Sequence, residues 1–304
     1  MKSLVTSAPA NTMLMGEHSV VYGQAALLAA LPPRIRIFWQ ARTDNQIRIE
    51  SSLAVYQSPI NDLQDHPNLR FVLAPLQQLS DQLNSGWTLK IESDFPSDWG
   101  LGSSAAVLAA TLVGLETLLE LKWDHWARFS FGHSCILSVQ GRGSGADLAA
   151  SLHGGLVYFD PQHQQITRLD QPMDLCLAYS GYKTPTPQVL AWVAQHWQSK
   201  PEQLQRLYQQ MGKLTQQAYE ALQQSNWPHF YEQVKAYQQA MQQLGVCDPC
   251  LSQIVRQLEA QLPAAKISGS GLGDCVLGFG HIDSLGEYPI LNTQISARGA
   301  DCQP

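Results

Sequence analysis

Basic residues are scarce in this chain: 19 Lys and Arg stand against 25 Asp and Glu in 304 residues, for a formal net charge of −6 at pH 7 with His neutral. No dense Lys/Arg run or stripe occurs, so the electrostatic footprint of a nucleic-acid binder is missing. No run of about 18 apolar residues occurs, so no membrane-spanning helix is expected. The opening Met1-Lys2-Ser3-Leu4-Val5-Thr6-Ser7 has no long apolar core and no cleavage signal, so no signal peptide is expected. The six cysteines form no dense framework, which fits a reducing cytoplasm. The Cys247-Asp248-Pro249-Cys250 pair lacks two further ligands at zinc spacing and sits in a helix–turn–helix pattern, so it reads as two ordinary thiols. The nine histidines form neither HxxxH nor HExxH, which argues against a zinc enzyme. The Walker A pattern GxxxxGK[ST] is absent as well; Gly212-Lys213-Leu214 lacks both its early Gly and its Ser/Thr.

What is present is a mixed α/β pattern. Leu4 to Ala8, Arg34 to Gln40, Gln46 to Glu50, Trp87 to Glu92 and Gly155 to Asp160 read as strands, the second and third by alternation. Gly23 to Leu31 (GQAALLAAL) reads as a short buried helix. Leu69 to Leu83 and Ser103 to Leu121 have helical spacing or composition. From Pro187 to Leu262 the chain reads as helical, amphipathic and rich in Gln on solvated faces. Strands are expected at Leu175 to Tyr179, Ala265 to Ser268, Cys275 to Phe279 and Ile295 to Cys302. No internal repeat appears. The composition shift near 160–175 divides the chain into domains 1–165 and 166–304.

Three glycine-rich constellations carry the chemistry. In Pro96-Ser97-Asp98-Trp99-Gly100-Leu101-Gly102-Ser103-Ser104-Ala105-Ala106, glycines permit close backbone approach and the following helix offers free N–H groups to an anion. Ser103 and Ser104 add hydroxyls for phosphate or magnesium. A plain strand-to-helix turn with a Ser cap explains the segment equally well. In Gly141-Arg142-Gly143-Ser144-Gly145-Ala146-Asp147, Asp147 falls in the first turn of a helix, where it either complements the helix dipole or serves a substrate hydroxyl. The third constellation, Lys266-Ile267-Ser268-Gly269-Ser270-Gly271-Leu272-Gly273-Asp274-Cys275, flanks a ligand or forms a tight turn.

Together with Ala8-Pro9-Ala10-Asn11-Thr12-Met13-Leu14-Met15-Gly16-Glu17-His18-Ser19-Val20-Val21-Tyr22-Gly23, these segments resemble, in order and spacing across nearly the whole chain, the GHMP kinases, the superfamily of galactokinase, homoserine kinase, mevalonate kinase and phosphomevalonate kinase. The Gly16–Gly23 portion is most similar to the mevalonate kinases. The resemblance implies an α+β, two-domain fold: an N-terminal mixed α/β ATP-binding domain, a C-terminal ferredoxin-like α+β domain, and the active site between them. It implies ATP as phosphoryl donor, cradled by Gly100, Leu101, Gly102, Ser103, Ser104 and Ala105, with Gly269, Ser270 and Gly271 in support. It implies Mg²⁺ on Ser104, Asp147 as the catalytic residue, and Glu17, His18, Asn11 and Lys183 on the substrate side. The expected acceptor is a small-molecule alcohol, mevalonate at its 5-hydroxyl or else phosphomevalonate, and the expected assembly a monomer or homodimer.

Two departures stand out. Asn11 occupies the place of a family Lys, and Ile136, eleven residues before Asp147, the place of a family Mg²⁺-binding Glu. Lys183, in Ser180-Gly181-Tyr182-Lys183-Thr184-Pro185-Thr186, and Arg142 are candidates for the missing charge. A non-catalytic relative that senses a nucleotide or metabolite also accommodates these departures. A dehydrogenase reading rests on Gly141-x-Gly143-x-x-Ala146 with Asp160 downstream, which mimics a dinucleotide fingerprint, but the intervening helix would be very short.

Overall fold

The computed structural model describes residues 3–96 and 100–303; Ser97, Asp98 and Trp99 of the first glycine-rich constellation lie outside the described residues. The chain forms two compact units that interleave along the sequence. The first comprises Met1–Asn11, Pro33–Gly154 and Arg298–Pro304, the second Thr12–Pro32 and Gly155–Ala297.

In chain order the elements are β1 (Ser3–Met15), β2 (Ala26–Ala41), β3 (Gln46–Glu50), β4 (Val55–Pro59), α1 (Arg70–Gln78), β5 (Trp87–Ser93), α2 (Ser103–Leu118), α3 (His125–Gln140) and α4 (Ala146–His153). There follow β6 (Leu156–Asp160), β7 (Gln165–Leu169), β8 (Asp174–Tyr179), α5 (Thr186–His196), α6 (Pro201–Gln223), α7 (Trp227–Leu244), α8 (Pro249–Glu259), β9 (Ala265–Ile267), β10 (Cys275–Phe279), β11 (Ile290–Gln294) and β12 (Asp301–Gln303). No helix among the described residues is long and apolar enough to cross a membrane. All six cysteines are free.

In the first unit the strands run in the order β12-β1-β2-β5-β3-β4. β3 lies parallel to β5, with Ile49 opposite Leu89, and antiparallel to β4. Ile47 and Ile49 are buried while their neighbours Gln46, Arg48 and Glu50 are half-buried, the alternation expected of a strand with one core face. The helices α1, α2, α3 and α4 pack on one another. α2 comes close to the sheet at Gly114, where an added Cβ would lie 2.5 Å from the Trp39 ring. Trp39 is itself buried and donates to Thr6 Oγ1 at 2.9 Å, so its polar atom is satisfied inside the core.

In the second unit the start of β2 pairs with β6, Ala26 opposite Phe159, and β6 pairs with β7. A separate antiparallel sheet of order β11-β8-β10-β9 is backed by α7 and α8. This is the α+β arrangement expected of the C-terminal half. Phe230 and Phe279 meet edge to face at 5.3 Å between a helix and this sheet.

Two expectations from the sequence need correction. Gly23 to Leu31 is not a helix: Ala26 to Leu31 opens β2 and is fully buried. A short apolar run buried on both faces has neither period 2 nor period 3.6, and the high helix propensity of Ala and Leu is overridden by sheet pairing. Pro187 to Leu262 is helical as expected, in the four helices α5 to α8. Of the strand expected at Ile295 to Cys302, only the end is realised, in β12, while β11 precedes it. The Pro32-Pro33 pair inside β2 lies between the residues that pair with β6 and those that pair with β5, so the missing N–H groups cost no ladder bond in either pairing.

Candidate active site

The first unit brings together the first glycine-rich turn, α2 and α4. Gly100 and Gly102 have φ of 68° and 67°, a left-handed conformation that glycine adopts without steric penalty. Gly102 caps α2 without any side-chain cap bond, and the first turn of α2 has no acidic residue. Among the described residues no side chain caps that turn, and its N–H groups and helix dipole suit an anion. Ser103 is half-buried and Ser104 exposed, while Leu101 and Ala105 turn into the core. A cavity of about 1120 Å³ opens beside this turn, lined by Asn68 and Phe71 near the start of α1, by Lys90, and by Ser103, Ser104 and Val107. The glycine pattern in the sequence marks the turn beside this cavity. The α1 and β5 residues were missed, because they lie far apart in sequence and carry no motif.

Asp147 stands exposed in the first turn of α4, after Gly145 in the left-handed conformation. Asn11 is buried beneath. Its backbone N–H donates to Leu101 O at 3.1 Å, and its Nδ2 donates to Asp147 O at 3.3 Å and to Ser151 Oγ at 2.9 Å. Thus Asn11, Leu101, Gly102 and Asp147 are neighbours within one unit. Ile136 is a buried apolar residue, and a Cβ added at Gly143 would lie 2.8 Å from its Cγ2. The place of the family carboxylate is thus taken up by packing against the 141–145 turn, where Arg142 is exposed.

The second unit carries the remaining residues. Glu17 and His18 follow β1 and are both buried. Glu17 Oε1 accepts from Lys266 Nζ at 2.5 Å, and Lys266 also donates to Ile267 O at 2.6 Å. Burial holds the Glu17 carboxyl above the usual range, with the Lys266 charge opposing; burial likewise pushes Lys266 down against the pull of Glu17. Tyr237 braces the turn, accepting from Gly16 N at 2.9 Å and donating to Glu17 O at 3.0 Å. His18 has φ of 60°, and its Nε2 meets Ser270 O at 2.8 Å. Because a carbonyl only accepts, Nε2 carries the proton. Burial keeps the imidazole pKa below its ordinary value, with the Ser270 bond opposing. His18 is thereby tied to the third constellation, whose Gly269 and Gly271 have φ of 75° and 81°. Lys183 is exposed and forms an ion pair with Asp274 at 3.0 Å, while Thr184 Oγ1 donates to Leu272 O at 2.5 Å. Lys266 and Tyr237 were missed by motif reasoning; the one available signal was a lysine inside an otherwise apolar strand.

Residues 70–155 match the GHMP kinases N terminal domain, and residues 218–285 the GHMP kinases C terminal domain. A mevalonate kinase of Archaeoglobus fulgidus is 30% identical over 276 residues, covering 90% of this chain and 92% of the relative. The chain belongs to the GHMP kinases, and ATP use comes with that family. Among solved structures, a Lin0012 protein from Listeria innocua superimposes with a TM-score of 0.87 at 20% identity, covering 99% of each chain. The mevalonate kinase of Methanococcus jannaschii does so with a TM-score of 0.79 at 19% identity, covering 97% of this chain and 98% of that one. These two likenesses establish the fold.

Proposed function

We propose that this chain is a mevalonate kinase that transfers the γ-phosphoryl group of ATP to the 5-hydroxyl of mevalonate. The observation that carries the reading is the 30% identity to a mevalonate kinase over nine-tenths of the chain. It is supported by the open N-terminus of α2 and the exposed Asp147 in one unit.

In this reading the backbone N–H groups of Gly100 to Ala105 and the hydroxyl of Ser103 hold the triphosphate, and the 1120 Å³ cavity takes the nucleoside. Gly269, Ser270 and Gly271 add backbone N–H groups on the phosphate side. Asp147 orients the alcohol and accepts its proton. Glu17 and His18 shape the substrate side, with Glu17 anchored by Lys266. Lys183, steadied by Asp274, supplies positive charge. No group of three His, Cys, Asp or Glu side chains suited to a metal occurs among the described residues. An exposed hydroxyl without a carboxylate cage fits Mg²⁺, which keeps several waters and takes its remaining ligands from phosphate oxygens. Ser104 would be its protein ligand, and the chemistry such an ion would supply is neutralisation of phosphate charge. The chain's own contribution is positioning and charge stabilisation, the terms that dominate phosphoryl transfer. The six free cysteines fit a reducing cytoplasm, where we place the enzyme as a monomer or homodimer. A coupled assay of ADP release with Mg-ATP and mevalonate, phosphomevalonate, galactose or homoserine tests the reading. Turnover with mevalonate is expected; turnover with phosphomevalonate alone would reassign the acceptor.

A further inference from the structure

Asn11 stands where the family carries a lysine, yet its surroundings are those of a brace. It is buried to 1% exposure. Ser151 Oγ donates its one proton to Pro9 O at 3.0 Å, so toward Asn11 it can only accept. Asp147 O, a carbonyl, also only accepts. Both partners therefore demand the amide nitrogen, at 2.9 and 3.3 Å, and this fixes which way the Asn11 amide faces. Its Oδ1 is left buried without a hydrogen-bond partner, a cost the site bears to keep Nδ2 on α4. On the other side, a Cβ added at Gly102 would lie 2.2 Å from Nδ2, so the amide packs directly against the phosphate turn. The Asn11 backbone N–H is bonded to Leu101 in the same turn.

We infer that Asn11 and Ser151 form a positioning pair that sets Asp147 in register with the phosphate turn, and that the position works here as a spacer and not as a source of charge. The inference rests on the kinase reading only for its kinetic consequence. The transferred group's charge is then met by other residues, and the longer side chain of a lysine introduced at position 11 would not set its donor where the Asn11 amide stands, against Gly102 and between Asp147 O and Ser151 Oγ.

The test compares N11A, N11D, N11K and S151A with wild type in the full-length protein. It measures kcat, both KM values, Mg-ATP binding by calorimetry, and amide hydrogen exchange over residues 145–151. N11A and N11D are expected to lower kcat by about 30-fold or more, the scale of a small misplacement of a reacting group. ATP affinity should stay within about twofold, and exchange at the start of α4 should quicken. S151A should lower kcat by about 5-fold, and N11A/S151A should be no worse than N11A, as expected of coupled residues. In N11D the ratio of its kcat to that of wild type should rise as the pH is lowered from 8 to 5, because only a protonated carboxyl can donate to Ser151 or to Asp147 O. Wild-type kcat in N11A would overturn the inference. So would an N11K enzyme as fast as wild type, or a loss confined to substrate affinity. A wild-type protein that binds Mg-ATP yet phosphorylates no alcohol would instead defeat the kinase reading. In that event unchanged exchange at 145–151 in N11A would separately defeat the brace.

Discussion

Lys266 and Glu17 are an ion pair with side-chain exposures of 0% and 3%. Desolvation outweighs attraction for both groups, as the directions of their shifts indicate. Breaking one side leaves an uncompensated buried charge, so K266M should lose about 3–5 kcal/mol of unfolding free energy. E17Q/K266M removes both charges and should come within about 1 kcal/mol of wild type, or exceed it. Urea melts of the two variants measure the difference, and equal losses in both would contradict this account. His18 makes a second prediction at the same scale. Its depressed pKa means that the unfolded chain takes up a proton below the ordinary value of 6.5 while the folded protein resists. The stability due to His18 is therefore complete above that pH and falls as the pH drops through the folded pKa. H18N, which tolerates the positive φ, should flatten this slope between pH 6.5 and 5; an unchanged slope would assign the pH dependence elsewhere.

At the scale of elements, the phosphate turn depends on two left-handed glycines and on the packing of Gly102 against Asn11. G102A forces a Cβ onto the Asn11 amide as well as straining φ, and should weaken Mg-ATP binding by about tenfold or more in calorimetry. Wild-type affinity would show that the turn does not hold the nucleotide. Much of this was readable in the sequence. Gly-x-Gly before an Ala/Leu-rich helix marks a turn into a helix, open or Ser-capped, and the structure caps it with Gly102; Gly145-Ala146-Asp147 marks a first-turn carboxylate. At Gly23 to Leu31 burial on both faces erases the period that separates strand from helix. The partners of Glu17 and Asn11 were out of reach for another reason. Lys266 lies 249 positions from Glu17, and Ser151 140 positions from Asn11, so only the tertiary fold joins them.

At the scale of the molecule, the interleaving of the two units is the least readable feature. Composition shifts along the chain mark a contiguous cut, whereas Thr12–Pro32 and Arg298–Pro304 each belong to the unit formed largely by the other part of the sequence. In the first unit the buried Arg34 joins the β1–β12 pairing and Ser7 in holding the segment around β12. Arg34 donates to Ser7 Oγ at 2.9 Å, Arg298 O at 3.0 Å and Gly299 O at 2.8 Å, and pairs with Asp301 at 3.3 Å. R34M removes these bonds, leaving Asp301 to Ser7 and Arg298, and should cost about 2–4 kcal/mol, read from a denaturant melt. A loss below about 0.5 kcal/mol would show that β12 holds without it.

Asp147 stands in the first turn of α4, accepts at its backbone O from Asn11, and lies in the same unit as the glycine turn before α2. The most direct measurement is ADP release with Mg-ATP and mevalonate by wild type and D147N, alongside calorimetric ATP binding by both. The account predicts turnover by wild type, a loss of about 100-fold or more in kcat for D147N, and ATP affinity unchanged within about twofold. A D147N enzyme that turns over mevalonate like wild type would contradict it.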